Sequence, residues 1–376
     1  RYIQERGLLH QGKLRWLSDN MGYWELDGGW TGDDSKYEDE FPLDDVSRWL
    51  VGAQHKGQYG DYWYTRVNFT RASDTEYLRD LNNSNLSAQR ETALQQLARL
   101  GWINDQWHIT LDFEQFQSIA EDIAEDYRKL PQMTARWVGN REWAGLTPIF
   151  LSELSHFDSD TTRVTGQRLY NEFGLTKPMN WTAGFLQPTI KYRSVAYELD
   201  RPFTDIANSP NAGSLMASFD GGLIFERQTN LFGQSMTQTL EPRVYYLYSQ
   251  YQEQIFQPDF DTAELTFSYA QLFRDTRFSG NDRLDDANQL SVGVTSRYFD
   301  NETGEEKLNV SLGQIYYFRD REVRLNTFDT ELAENTSPLA GEFSWSPNPQ
   351  WQLRASALYD TNDNTFDAAS AQATYF

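Results

Sequence analysis

Three kinds of side chain in this sequence have the makings of chemistry, and their spacing argues against each use. The four histidines, His10, His55, His108 and His156, are scattered and lack the short spacings that put two ligands on one metal. A lipid-cleaving enzyme needs a histidine and a serine held together; serines are plentiful here, but none sits in a recognisable nucleophile setting. Carboxylate pairs abound in segments such as "DDSKYEDE", 33–40, yet acidic pairs in turns are common and argue little for a glycosidase. That segment keeps two readings: a plain solvated acidic turn, or acidic groups that hold a divalent cation. The expectation is a protein that is not an enzyme, with no metal site and no cofactor.

The densest charge lies in "RDTRFSGNDRLDD", 274–286, where Arg274, Asp275, Arg277, Asp282, Arg283, Asp285 and Asp286 mix both signs. Mixed charges at this density can form a network that fixes a loop and presents polar groups to a partner. The competing reading is a loop that is merely solvated. Directly after the run comes an alternating segment. Val292, Val294 and Tyr298 fall on one parity, and Ser291, Gly293, Thr295 and Arg297 on the other. That is a β-strand with one apolar and one polar face.

The same period recurs from end to end. Leu14 and Trp16 alternate with Lys13 and Arg15; Trp24, Leu26 and Trp30 alternate with Glu25, Asp27 and Gly29. Trp63, Val67 and Phe69 oppose Arg66, Asn68 and Thr70, and Trp107, Ile109, Leu111 and Phe113 oppose His108, Thr110, Asp112 and Glu114. Further strands run through Phe219 to Phe225, Leu240 to Tyr248, Leu308 to Phe318 and Trp351 to Tyr359. Turn-like segments such as "TGDDSKYEDE", "DNETGEEK", "SPNPQ" and "DTNDN" separate them. "NLSAQRETALQQLARLG", 85–101, reads either as a helix or as a loop leading into another strand. The strand total comes to roughly 16–18, with no break in composition to suggest a second domain.

Totals narrow the class. The chain has 376 residues and a net charge of -22, which excludes the basic footprint of a nucleic-acid binder. Mean hydropathy is -0.70 although 15% of residues are aromatic, whereas a disordered acidic chain is poor in aromatics. No stretch approaches the ~18 apolar residues of a transmembrane helix. No signal peptide is visible, and the chain opens mid-pattern, as a processed or trimmed piece does. Cysteine is absent, so disulfide and thiolate chemistry are excluded within these residues. A polar strand face can look onto bulk water or onto water inside a pore. Charge on the polar faces and aromatics at the strand ends favour the pore, because a membrane barrel shows lipid only alternate residues. A soluble secreted all-β protein is the plainer alternative.

Three blocks are specific enough to carry a resemblance: "TQTLEPRVYYLY" at 237–248, "FDTAELTFSYAQLFRDTRFSGNDRLDDANQLSVGVTSR" at 260–297, and "LNVSLGQIYYF" at 308–318. Together they resemble the large barrel of the LptD family of outer-membrane lipopolysaccharide-assembly proteins. "KYEDEF", 36–41, and "SRWLVGAQHKGQYGDYWYTRVNFTRASDTEYLRDL", 47–81, resemble earlier parts of the same barrel. The resemblance runs in order through nearly the whole chain. It implies an all-β fold: a large transmembrane antiparallel β-barrel of about 26 strands in the full protein. It also implies an outer-membrane location and a lipoprotein plug, LptE, in the lumen. Lipopolysaccharide would be the cargo, delivered over a periplasmic bridge and powered by an inner-membrane ATPase. Against that pattern the chain lacks the N-terminal periplasmic jellyroll, the last strands and the family's cysteines. The expectation is therefore that 1–376 is a partial barrel in which the lateral seam between first and last strands is not represented.

The resemblance places residues 249–289 in an extracellular loop that folds back to meet the plug, which makes the seven charged residues of 274–286 plug-contact or loop-network candidates. Arg66, Glu241, Arg243 and Arg297 become candidates for the lumenal face, with the arginines suited to bidentate phosphate contacts. Pro242 cannot donate to a strand ladder, so it should mark a bulge or irregular pairing. For the Glu241–Arg243 cluster a purely structural role is the simpler reading. The main functional alternative is a porin-like or uptake channel for small solutes.

Overall fold

The computed structural model describes residues 2–4, 6–42, 46–81, 93–119, 127–140, 144–161, 163–200, 208–231, 233–325 and 333–376. Two compact units are distinguished: Arg1–Val138, Leu151–Tyr170 and Ala196–Pro210 form one, and Gly139–Phe150, Asn171–Val195 and Asn211–Phe376 form the other.

The first unit holds a short pair, β1 (Tyr2–Ile3) and β2 (Gly7–Leu8), and then β3 (His10–Ser18), β4 (Gly22–Thr31), β5 (Arg48–Tyr59), β6 (Trp63–Ala72), β7 (Ala93–Ile103), β8 (Trp107–Ser118) and β9 (Arg128–Val138). From β3 to β9 each strand pairs antiparallel with the next. Later in the chain come β10 (Thr147–Asp158), β11 (Gly166–Thr176), β12 (Met179–Trp181) and β13 (Gly184–Leu199). The second unit continues with β14 (Asn211–Leu223), β15 (Phe225–Leu231), β16 (Gln234–Ser249), β17 (Ala287–Asp300), β18 (Glu306–Tyr317), β19 (Leu339–Asn348), β20 (Trp351–Asp360) and β21 (Thr365–Tyr375). These too pair antiparallel in chain order from β16 onward.

Twenty-one strand segments among the described residues exceed the roughly 16–18 expected from the sequence. The shortfall came from segments such as Thr147–Asp158, "TPIFLSELSHFD", where polar residues interrupt strict alternation. The ambiguous stretch 85–101 is settled as strand from Ala93 onward; residues 82–92 lie outside those described. "TGDDSKYEDE" is not a simple turn. Ser35–Glu40 form a short helix, α1, whose first backbone N–H groups are met by the Asp34 carboxylate accepting from Tyr37 N–H at 3.1 Å. A second short helix, α2 (Tyr77–Leu81), lies in the connection after β6.

Within each unit the faces are segregated, and the sense is the reverse of a soluble core. In the second unit Val244, Tyr246, Val292, Val294, Val310 and Leu312 are exposed, while Ser249, Gln289, Ser291, Thr295 and Ser311 on the opposite parity are buried. In the first, Leu14, Trp16, Leu26, Trp63, Leu100 and Met133 are exposed, and Glu25, Thr110 and Asp112 are buried. Apolar surface on this scale marks a membrane or protein contact. Connection lengths are also asymmetric. In the first unit the turns at 19–21, 60–62 and 104–106 are short, whereas those at 32–47 and 73–92 are long. In the second, 232–233, 301–305 and 349–350 are short, whereas 250–286 and 318–338 are long. Short turns at one end and long loops at the other, with aromatic pairs such as Tyr62–Trp102 and Trp107–Trp137 beside the short turns, are the pattern of a membrane β-sheet.

Candidate functional site

The site sits in the second unit, where the 250–286 connection folds against the polar face of β16, β17 and β18. It has almost no regular structure, so its backbone groups need other partners. Asp282, with no exposed surface, accepts from the N–H groups of Phe260 at 2.8 Å and Asp261 at 2.9 Å and from the Thr262 hydroxyl at 3.1 Å. Asp285 receives the Arg277 backbone N–H at 2.7 Å and its guanidinium at 2.8 Å. Asp286 accepts from the N–H groups of Glu322 and Val323 at 3.1 and 2.9 Å and from Arg319 Nη2 at 3.1 Å, tying the loop to the 318–325 segment. The arginines serve the carbonyls: Arg283 Nη1 donates to Pro258 O at 2.8 Å, and Arg277 Nη2 to Val323 O at 3.0 Å. Each charged side chain stands in for a strand neighbour the loop does not have.

Strand residues complete the clamp. Lys191 on β13 pairs with Asp275 at 2.8 Å and Glu172 at 3.0 Å. Arg193, one face-repeat along, donates to Ser249 Oγ at 2.8 Å and to the Asp285 carbonyl at 3.2 Å. Burial would raise the Asp275 carboxyl, but the Lys191 ammonium, with Arg193 behind it, outweighs burial and holds it below the usual aspartate range. At Asp259, burial wins and the carboxyl is raised despite Arg283.

Packing seats the loop as firmly as charge does. A 3-10 turn, Tyr269–Phe273, presses Leu272 and Phe273 onto the paired glycines Gly293 and Gly313. A Cβ on Gly313 would lie 2.6 Å from Leu272 Cδ1 and 2.7 Å from the Val292 carbonyl, so only glycine admits the approach. Arg243 stacks on the Phe273 ring at 4.1 Å while holding Asp220 through two hydrogen bonds of 2.9 and 2.6 Å.

The expected residues therefore separate. Asp275, Arg277, Asp282, Arg283, Asp285 and Asp286 come together as the loop's internal scaffold. Arg274 is exposed, makes no side-chain hydrogen bond or ion pair among the described residues, and lines a cavity of about 290 Å³ with Arg277, Arg321, Glu264 and Tyr317. Glu241, Arg243 and Arg297 share the polar face, with Arg297 3.7 Å from both Glu241 and Glu306. Arg66, in the first unit, stands on the polar face directly across from Lys56 and Arg99. Pro242 brings no register shift against β17, where it faces Val294. On its other side the ladder is interrupted between Leu240–Phe225 and Arg243–Gly222, which is where β14 gives way to β15. Asp34, from the acidic segment considered for cation bridging, is instead held by Arg6 and Arg48 at 3.2 and 2.7 Å. Lys191, Arg193 and Gln254 were missed from sequence. Each is an ordinary polar residue that reaches a partner 84, 56 or 30 positions away, respectively Asp275, Ser249 and Leu284, so no local pattern announces it.

A family model described as LPS transport system D, LptD, matches residues 46–376. The chain belongs to the LptD family. Among curated relatives, the LPS-assembly protein LptD of Hahella chejuensis is 33% identical over 370 residues, covering 96% of this chain and 46% of the relative. Those of Saccharophagus degradans and Pseudomonas fluorescens are 34% and 31% identical, covering 89% and 100% of this chain but 40% and 45% of each relative. The chain thus spans somewhat less than half the length of the curated relatives it matches. Its antiparallel strands fit a β-barrel family. Family membership and the exposed apolar strand faces together make it an integral outer-membrane protein.

Proposed function

We propose that this chain forms part of the barrel of a lipopolysaccharide translocon, carrying lipopolysaccharide across the outer membrane and inserting it into the outer leaflet. In this reading the strands close, in the whole protein, into a barrel of about 26 strands with the polar faces turned to a water-filled lumen. The lumen holds the lipoprotein plug LptE, and cargo arrives over a periplasmic bridge that docks on a part of the protein outside residues 1–376. The observation that carries it is the 250–286 loop laid on the polar face and hydrogen-bonded through Asp282, Asp285 and Asp286. A diffusion channel has no need to spend three buried carboxylates on one loop, whereas a barrel that must seat a partner protein needs a fixed surface. Arg274 is the loop's uncommitted cation, and the plug is the partner it suits. Movement of cargo needs no bond-making at the barrel, so the family's energy source lies outside this chain.

Purification of the full-length parent in mild detergent, with mass spectrometry of its companions, tests this. A stoichiometric small lipoprotein together with lipopolysaccharide is the expected result. A lone barrel with neither would return the porin-like channel to first place.

A further inference from the structure

Below the seated loop, the polar faces of β17 to β20 line a second cavity of about 440 Å³. Its volume falls within the ~300–1,000 Å³ of small-molecule clefts. Its walls are two cross-strand rows. One runs Arg297, Asn309, Ser344, Arg354; the next runs Thr295, Ser311, Glu342, Ser356. The Tyr269 ring from the loop closes one side.

Three features of these rows point to a ligand. First, neither guanidinium makes a side-chain hydrogen bond among the described residues. Among the described residues Arg354 makes no hydrogen bond or ion pair, and Arg297 meets Glu241 and Glu306 only at 3.7 Å, beyond hydrogen-bonding distance. Second, the two guanidinium groups stand at opposite ends of a row three strand spacings long, roughly 14 Å between backbones. Long side chains can converge from there on a molecule lying across the row. Third, the surface between them is made of hydroxyls and amides in a hydrogen-bonded chain: Tyr269 to Thr295 at 3.0 Å, Thr295 to Ser311 at 2.9 Å, and Ser311 donating to Asn309 at 3.1 Å. Glu342, exposed and without a partner among the described residues, supplies an acceptor beside them.

An anion alone would need only the arginines, and a neutral sugar only the hydroxyl rows. We propose that this cavity is a binding site for a phosphorylated sugar. The phosphate takes the bidentate donors of Arg297 or Arg354. The sugar hydroxyls lie over Asn309, Ser344 and Ser356 and donate to Glu342, with the ring against Tyr269. The site rests on the translocon reading only for the source of the sugar, which is either the saccharide of a lipid cargo or a free sugar phosphate.

The test is calorimetric titration of the full-length protein, with its co-purifying companions, by glucosamine 6-phosphate. Saturable binding is expected, weakened roughly tenfold or more by Arg297→Gln or Arg354→Gln. Arg354→Lys, which keeps the charge but loses the fork, should fall between. Inorganic phosphate and unphosphorylated glucosamine should each bind at least about tenfold more weakly. Competition by deacylated, phosphorylated lipopolysaccharide saccharide assigns the source to cargo; binding without that competition assigns it to a free solute. Absence of saturable binding, equal binding of inorganic phosphate, or indifference to both arginine variants in protein that keeps its folded-barrel gel mobility would overturn the proposal. Lipopolysaccharide co-purification with no sugar-phosphate binding sinks this site alone, and the reverse result sinks the translocon reading alone.

Discussion

In each compact unit a long connection folds over the polar strand face, and the two are held down by different physics. In the first, Arg48 is fully buried and shared by Asp34, Asp74 and Asp80 at 2.7, 2.7 and 3.2 Å, with its guanidinium 4.1 Å over the Tyr37 ring. Behind it lies an apolar cluster of Leu9, Leu50, Tyr77, Leu78, Leu81 and Leu94, and burial pushes the Tyr77 phenol up to about 12. In the second, no single charge is central. Asp282, Asp285 and Asp286 each accept backbone N–H groups, and the arginines are dispersed over separate carbonyls. One cap is therefore a small core pinned by two buried cations, Arg48 and Arg6, on shared aspartates, the other a coil whose missing ladder bonds are replaced one at a time. Failure at the first should be all-or-none, and failure at the second piecemeal.

The sharpest way to break that contrast is Arg48→Met. It removes the guanidinium shared by three aspartates and leaves only Arg6 against Asp34 and Asp80, at a cost of about 3–5 kcal/mol, read as a lowered urea midpoint of the refolded protein in lipid vesicles. Asp282→Ala strands two backbone N–H groups and a hydroxyl, each worth about 1–3 kcal/mol when buried and unmet. Here hydrogen exchange should quicken in 258–284 while the first unit is unchanged. Gly313→Ala drives a methyl into Leu272 and the Val292 carbonyl and should cost about 1–3 kcal/mol, with the 269–273 turn lifting first in limited proteolysis. Acid gives a gentler probe. Because Lys191 holds Asp275 below its ordinary range, that contact contributes fully above the unfolded aspartate pKa of about 3.9. It is lost only as pH falls through the depressed value. Exchange protection of 274–277 should thus persist at pH 5 and fade below pH 4, and Asp275→Asn should abolish that dependence. The smallest effect belongs to the exposed turn pair Lys307–Glu305 at 2.6 Å. Lys307→Ala should shift the midpoint by no more than about 1 kcal/mol.

How much of this could be read from the sequence depends on the range of each interaction. The period-two faces of β16, β17 and β18 were legible because alternation is local, and the inverted burial follows once one face is assigned to lipid. The charged run at 274–286 stood out as a network, but not which charges face inward. Asp282 and Arg274 look equivalent in the sequence, yet one is buried with three donors and the other stands free at a cavity. The Arg48 cap was invisible. Its three aspartates sit 14, 26 and 32 positions away, and nothing local marks an arginine at the start of a strand as buried. At Pro242, whose missing donor predicts irregular pairing, the register against β17 is unbroken and the ladder is interrupted on the β14–β15 side.

The central claim is that alternate residues of one strand see lipid and water. With no native cysteine in these residues, single spin labels at Val310 and Leu353 can be compared with labels at Ser344 and Ser356 in the full-length protein, reconstituted in bilayers. Collision with oxygen should dominate at Val310 and Leu353, and collision with a water-soluble nickel chelate at Ser344 and Ser356. Equal nickel access at all four positions would contradict the account and mark the sheet as one that faces water on both sides.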